Sequence, residues 1–157
     1  MDAVDRQLLD VLRADGRASY AELARSVGLS SSAVHERVAK LESAGIITGY
    51  RAIVEPSALG IGVTALISII PGENGQDEQI AAALDRMVEV ESCYAVAGDE
   101  AFILKVRVPT VDELHRCLGR LRNIDGVART RTMVVLATRF EARPPPNDEP
   151  AGTDRSP

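Results

Sequence analysis

After Ser19 the apolar residues recur every three or four positions in two short runs, and Gly28 separates the two runs. Ser19 and Glu22 have the S-x-x-E spacing of a helix N-terminus, which predicts a first helix that begins at Tyr20 and ends at Gly28. Ser30 is placed to cap a second, longer helix. The positions predicted to face inward are Leu23, Ala24, Val27, Val34, Val38 and Leu41. This pattern predicts a helix-turn-helix, although an ordinary helical hairpin has the same periodicity.

The residues before Gly16 carry another apolar stripe and predict a third helix. This stripe consists of Val4, Leu8, Leu9 and Leu12. After Gly45 the helical period ends, and Pro56 with the following glycine indicates a connecting segment. We therefore predict a three-helix domain over residues 1–50 and an extended linker over residues 51–61.

Beyond residue 61 the pattern changes to β-branched runs that alternate with helical stripes. The predicted strands cover 62–70, 92–97, 101–108 and 127–138, and the predicted helices cover 77–88 and 110–122. The order β-α-β-β-α-β predicts an α+β, ferredoxin-like sandwich with both helices on one face of an antiparallel sheet. The other face includes Lys105 and Arg107 among apolar neighbours, so we expect a partner subunit to cover it. We assign this domain to residues 62–140.

The end of the chain, residues 141–157, is predicted to be a disordered tail. Residues 142–157 contain five of the eight prolines and otherwise mostly polar or small residues. A segment of this composition buries too little apolar surface to fold. We assign it no function.

The charge balance limits the ways in which the chain can bind nucleic acid. The net charge is -5, which argues against a binder that uses a broad basic surface. Residues 17–51 carry five basic and three acidic side chains, a small local excess. Few phosphate contacts release few counterions, so one copy should hold DNA weakly. We therefore expect an oligomer.

The sequence contains no visible parts of a catalytic centre. Cys93 and Cys117 lack metal-ligand spacing, and we expect both to be buried thiols. No nucleophile with an oriented base, phosphate-binding glycine loop or metal site is recognisable. We predict no enzyme activity, no cofactor and no metal. The run 63–70 is too short to cross a bilayer and no leader is visible at Met1, so a cytoplasmic location is expected and no membrane partner.

Several short sequence motifs occur in the order typical of one regulator family. They are Asp5-Arg6-Gln7-Leu8-Leu9, Gly28-Leu29-Ser30, Glu36-Arg37-Val38 with Leu41-Glu42, Gly45-Ile46-Ile47 through Gly49-Tyr50, Gly98-Asp99, and Gly126-Val127 leading to Thr130-Arg131-Thr132. On these motifs residues 1–140 resemble the Lrp/AsnC, or feast/famine, transcription regulators. The resemblance implies a double-stranded DNA-binding regulator that forms homodimers through the second domain, often assembles to octamers, and responds to an amino acid.

The early residues of the second helix of a helix-turn-helix reach base edges. We therefore predict that Ser31, Ser32 and His35 contact the floor of the groove, and that Arg37 and Lys40 contact phosphates. His35 has an alternative as a plain surface residue. For Arg37, which lies closer to the buried stripe, the alternative is a structural salt bridge. The family often has proline at the position of Ser31, so this chain has an additional hydroxyl there.

The resemblance places the effector near the turn at Gly98 and near the last strand. We predict effector-binding roles for Gly98, Asp99, Glu100, Thr132, Val134 and Leu136, the last three on one side of the strand. The alternative is a tight turn that needs glycine for its conformation only. Ala101 stands where the family often has a second acid, so ammonium recognition would pass to Asp99 or Glu100.

Two other functions compete with the regulator. Siroheme decarboxylases resemble this family in fold, and such an enzyme would direct histidine and arginine groups into a haem-sized pocket. The chain has only His35 and His115 for that purpose, and we interpret His115 as solvated. The second alternative is an amino-acid-sensing assembly module with a vestigial DNA reader.

Overall fold

The computed structural model of the chain describes residues 1–73 and 75–141. The chain splits into two compact units, and we use first unit and second unit for their main described segments, Met1–Ile53 and Val54–Arg139. Apart from Glu141, the predicted tail lies outside the described residues.

The first unit consists of three helices, α1 (Ala3–Ala14), α2 (Tyr20–Val27) and α3 (Ser31–Ser43). The predicted capping box before α2 is confirmed, since the Glu22 amide donates to the Ser19 hydroxyl and the Ser19 amide donates to the Glu22 carboxylate at 2.7 Å. Gly28 ends α2 with a φ of 69°, in the left-handed region that glycine adopts without strain. The Ser30 hydroxyl accepts from the Ala33 amide at 3.2 Å and caps α3. These local interactions set the ends of the turn between α2 and α3.

The core of the first unit contains the inward stripes of all three helices. Its buried members are Leu8, Leu23, Ala24, Val34 and Val38. Ile47 packs against this cluster from the segment after Gly45. Because each helix buries one stripe, the opposite side of α3 remains in contact with solvent.

The second unit is a four-stranded antiparallel sheet with two helices, in the predicted order β-α-β-β-α-β. Its elements are β1 (Val63–Pro71), α4 (Asp77–Leu84), β2 (Val90–Ala95), β3 (Phe102–Val108), α5 (Val111–Arg122) and β4 (Val127–Val134). The strand order across the sheet is β2-β3-β1-β4. A short 3₁₀ helix, Pro56–Leu59, precedes β1 within the predicted linker. The predicted α+β, ferredoxin-like fold is confirmed.

One face of the sheet packs against both helices. Alternate residues of β1 and β3 are buried there, with the inward residues of α4 and α5. This core consists of Ala65, Ile67, Ile69, Ala101, Phe102, Leu104, Val106, Val108, Ile80, Leu84, Leu114, Cys117 and Leu121. We call the opposite face, which carries Leu66, Ser68, Ile103, Lys105, Arg131 and Met133, the outer sheet face. Neither helix of this unit covers it.

Two predicted elements were too long. The helix predicted to reach residue 88 ends at Leu84, and the Met87 amide instead donates to the Leu84 carbonyl in a turn. The strand predicted over 127–138 ends at Val134, which pairs with Ala65 of β1, and one further hydrogen bond runs from the Val135 amide to the Thr64 carbonyl at 2.9 Å. Leu136 therefore lies outside the strand and is 98% exposed.

The prediction that both cysteines are buried was wrong for Cys93. Cys117 is buried on α5, but Cys93 is exposed on β2, an edge strand. Its side chain points to the helix side of the sheet beside Leu104 and borders a groove between β2 and α4. The incomplete cover at this edge leaves the thiol exposed.

Candidate nucleic-acid interface

The exposed side of α3 has small and polar side chains. Val34, Val38 and Leu41 bury the inner side, and this fixes which positions face solvent. The solvent-facing positions are Ser31, Ser32, His35, Glu36, Ala39, Lys40 and Ser43. Small side chains let a helix approach the floor of a groove closely, and hydroxyl, imidazole and carboxylate groups can read base edges. Such a surface suits the major groove of DNA.

His35 is held by an aromatic neighbour that the sequence analysis missed. Tyr20 occupies the first position of α2, and its ring centroid lies 4.9 Å from that of His35 at an interplanar angle of 51°. A tilted contact of this kind favours one orientation of both rings. The imidazole is therefore held in position on the exposed side of α3. The clue in the sequence was an aromatic residue directly after the capping serine.

The serines at the start of α3 differ in their partners. The Ser30 and Ser32 hydroxyl oxygens lie 3.1 Å apart, so Ser32 joins the group that caps the helix. Ser31 forms no side-chain hydrogen bond with any residue that the structure describes. Both hydroxyls are exposed at the end of α3 where the backbone N–H groups point outward.

Arg37 forms a salt bridge within the unit, which was the alternative stated for it. Its Nη1 atom lies 2.7 Å from Asp2 Oδ2 and 2.7 Å from Asp5 Oδ1. Hydrogen bonds from backbone N–H groups and from Arg37 lower the pKa of both carboxyl groups. Lys40 forms no ion pair with any described residue. Of the two cations predicted to contact phosphate, only Lys40 is unpaired.

The other end of α3 is held by Tyr50. The Tyr50 hydroxyl donates to Glu42 Oε1 at 3.0 Å, and its ring lies over the backbone at Gly16. Burial, together with the neighbouring carboxylate, raises the pKa of Tyr50 to about 12. The phenol therefore stays protonated and continues to donate at neutral pH.

The first unit carries no net charge. Residues 1–53 contain seven acidic and seven basic side chains. A neutral unit gains little from phosphate neutralisation, so one copy contributes modest affinity for DNA.

The turn predicted to bind the effector connects β2 and β3. Gly98 has a φ of 141°, and Asp99 is exposed beside it. Glu100 accepts from Arg131 Nη1 at 3.1 Å and thereby links the turn to β4. Asp99 forms no ion pair with any residue in the described ranges. The carboxylate of this turn that is open to a cationic group is therefore Asp99.

The six predicted effector residues do not form one cluster within a single copy. Thr132 pairs with Ile67 and Val134 with Ala65, so both side chains lie on the helix side of the sheet. Arg131, which pairs with Glu100, points to the outer sheet face. Leu136 lies beyond the end of β4. The turn and the three β4-side residues therefore occupy different parts of the second unit.

Metal-ligand clusters and membrane-spanning helices are absent from the described residues. Within 1–73 and 75–141 no group of three or more His, Cys, Asp or Glu side chains could hold a metal ion. No helix in the same ranges is long and apolar enough to cross a membrane. His115 is exposed on α5 of the second unit, and His35 belongs to the first unit.

Comparison with known proteins assigns a family to each unit. The AsnC-type helix-turn-helix domain matches residues 1–42, and the Lrp/AsnC ligand binding domain matches residues 63–145. The HTH-type transcriptional regulator LrpA of Mycobacterium tuberculosis is 43% identical over 143 residues, which are 91% of this chain and 95% of that protein. The leucine-responsive regulatory protein of Escherichia coli is 37% identical over 139 residues, 87% of this chain and 85% of that protein.

Two similar solved structures contain an amino acid. A feast or famine regulatory protein of M. tuberculosis complexed with L-methionine has a TM-score of 0.86 and 43% identity, and covers 91% of this chain and 97% of that one. A transcriptional regulator of Neisseria meningitidis in complex with L-methionine has a TM-score of 0.83 and 29% identity, with 90% and 93% covered. The relatives named here are described as regulators, and none of them as an enzyme.

Proposed function

Because the chain belongs to the Lrp/AsnC family of DNA-binding transcriptional regulators, we propose that it binds duplex DNA as a homo-oligomer whose assembly or DNA binding is modulated by an amino acid. The observation that carries this proposal is the small, polar, exposed side of α3 on a unit with no net charge. Such a surface can read bases, but it needs several copies to bind tightly. A regulator of this kind acts on the genome, and we propose the cytoplasm as its location.

In the proposed complex α3 lies in the major groove of DNA. Ser31, Ser32 and His35, at the start of the helix, contact base edges. Lys40, further along the same helix, contacts phosphate. The contact between Tyr20 and His35 supports this assignment, because a ring whose orientation is already restricted loses less entropy on binding.

We propose that two copies associate through the outer sheet face. Leu66, Ile103 and Met133 are apolar side chains on this face, and Ser68 between them is already buried. At one end of the face Glu91 forms ion pairs with both Lys105 and Arg107, each at 2.9 Å. Apolar side chains interspersed with paired charges can be buried against a second copy at a lower cost than unpaired charges. Further assembly to an octamer is what the family leads us to expect.

The proposed effector is an amino acid bound at the turn between β2 and β3. The solved relatives with L-methionine support this class of ligand. Asp99 is open to an ammonium group, while the backbone at Gly98 allows close approach of a carboxylate. We assign Glu100 a supporting role in the proposed site, because its ion pair with Arg131 anchors the turn. Thr132, Val134 and Leu136 remain predictions from the sequence.

Replacement of Lys40 by alanine tests the DNA contact. We expect weaker binding to every duplex, and a slope of log affinity against log salt that falls by about 0.9 for each bound copy. The measurement is a salt titration of binding by fluorescence anisotropy. The matched control is Arg86→Ala, which removes one exposed positive charge from the second unit. An unchanged slope in the Lys40 variant would reject the phosphate contact.

A panel of the twenty amino acids tests the effector. A ligand present at 100 times its dissociation constant stabilises the folded protein by about 2.7 kcal/mol, which raises the melting temperature by several degrees. We expect such a shift for at least one amino acid, and expect Asp99→Asn to reduce it. The control variant is Asp85→Asn, another exposed acid in the second unit. A flat panel would leave amino-acid control without support.

The alternatives predict different results in the same assays. A vestigial reader would show a shift in the amino-acid panel but no binding to any genomic fragment. The siroheme decarboxylase alternative has no support among the relatives named above, which are regulators.

A further inference from the structure

The contacts of Arg37 form a closed network at the start of α1. The carboxylates of Asp2 and Asp5 each use one oxygen for the helix cap and the other for Arg37. Asp2 Oδ1 accepts from the Asp5 amide and Asp5 Oδ2 accepts from the Asp2 amide, both at 2.9 Å, while the remaining oxygens accept from Arg37. The capping box of α1 and the side chain of α3 are therefore one hydrogen-bonded unit, which we call the Arg37 clamp.

The Arg37 clamp joins the two helices at a defined place along α3. Arg37 precedes the buried Val38 in the sequence, and Leu8 of α1 packs in the same core as Val38. The apolar contacts hold the two helices together, but they are non-directional. Charge-assisted hydrogen bonds have preferred distances and angles, so they also specify the rotation of α3 about its axis. That rotation decides which side chains face the groove.

We propose that Arg37 is a positioning residue for DNA recognition: with Asp2 and Asp5 it sets the orientation of α3 on α1, and it makes no phosphate contact. This replaces the phosphate contact predicted for it from the sequence. The proposal goes beyond the contacts assigned to Ser31, Ser32, His35 and Lys40, because it concerns residues that do not touch DNA.

The cost of breaking the network supports this role. If Arg37 turned to a phosphate, Asp2 and Asp5 would remain as two unpaired negative charges in the unit that binds DNA. Asp5 is 15% exposed and Arg37 33% exposed, so both ends of this pair are partly shielded from water. Lys40 lies on the exposed side of the same helix, and it can bind phosphate without breaking an ion pair with any described residue.

The two possible roles of Arg37 predict opposite effects of neutralising the acids. Asparagine retains the capping function at Asp2, so Asp2→Asn with Asp5→Asn removes the charges while keeping an acceptable helix start. General electrostatics predicts tighter DNA binding when two negative charges are lost. The Arg37 clamp predicts weaker binding, because α3 loses its fixed orientation.

The experiment compares the full-length wild type with Asp2→Asn/Asp5→Asn, Arg37→Ala, and the triple variant. The probes are a duplex selected by the wild type from a random library and a scrambled duplex of the same composition. We expect each variant to lose affinity for the selected duplex by roughly threefold to tenfold, the range that two partly exposed ion pairs can account for. Affinity for the scrambled duplex and the salt slope should change little, and the triple variant should be no worse than Arg37→Ala.

Circular dichroism and hydrogen exchange of α2 must show that the first unit of each variant is folded at the assay temperature. Asp10→Asn, which breaks the exposed pair of Asp10 with Arg13 on α1, is the matched control and should not lose affinity for the selected duplex, because it removes a negative charge outside the Arg37 clamp. Tighter or unchanged binding by Asp2→Asn/Asp5→Asn would overturn the proposal. So would a salt slope that falls in Arg37→Ala as it does in Lys40→Ala. Neither result would affect the proposed phosphate contact of Lys40, because the Lys40→Ala variant tests that contact separately.

Discussion

Replacement of Ile103 by lysine is expected to make the protein monomeric and to weaken DNA binding by two orders of magnitude or more. Ile103 lies in the outer sheet face, beside Ser68 on β1 and Tyr94 on β2. In the proposed dimer each new ammonium group would be buried without a partner, which costs far more than a surface charge. Linking two reading heads raises avidity by 10²- to 10⁴-fold, and separating them loses this gain.

Sedimentation of the Ile103→Lys variant measures the first part of this prediction, and DNA titration measures the second. The control is Val88→Lys, at a position that is 94% exposed in the turn before β2. It adds the same charge to the same unit and should preserve both assembly and binding. A variant Ile103→Lys that still forms dimers with normal DNA affinity would rule out the outer sheet face as the interface.

Replacement of Leu104 by alanine should destabilise the second unit by about 2–5 kcal/mol, the usual cost of a leucine-to-alanine change in a packed core. Leu104 is completely buried in the central part of β3, with Ile67 on one side and Cys93 on the other. The loss combines the transfer of the removed atoms with the cavity that remains. Leu59→Ala, at an exposed position of the 3₁₀ helix, is the matched control and should cost less than about 0.5 kcal/mol.

Because the chain has two units, unfolding should be followed for each of them separately. Hydrogen exchange of the β1 and β3 amides in urea reports on the second unit, and exchange of the α2 amides reports on the first. We expect the Leu104 change to affect the sheet and to leave the first unit nearly unchanged. Equal destabilisation of both units would show that they unfold together.

The start and end signals of the helices were predictable because they are local. The capping box at Ser19 and Glu22 and the left-handed Gly28 depend on residues no more than a few positions apart. The cap at Asp2 and Asp5 has the same chemistry but was not predicted. Strand ends were less predictable, since the extent of β4 depends on its pairing with β1. That limit comes from a segment more than sixty positions away in the sequence.

The candidate sites show the same division. The exposed side of α3 follows from its buried stripe, so the surface positions of Ser31, Ser32, His35 and Lys40 could be predicted from periodicity. The partners of Arg37 could not, because Asp2 and Asp5 meet it only when α1 packs on α3. The residues expected to bind the effector do not form one cluster within a copy, because strand pairing decides on which face of the sheet each side chain lies.

The sequence by itself determined the family, the α+β fold and the helix proposed to read DNA, since these depend on periodicity, caps and the order of elements. Only the tertiary structure decided which charges are compensated. It pairs Arg37 with α1, joins Glu100 to Arg131, and leaves Lys40 and Asp99 without ion-pair partners among the described residues. The physical reason is that these ion pairs join segments that are distant in sequence, and only the packing of the chain brings their charged groups together.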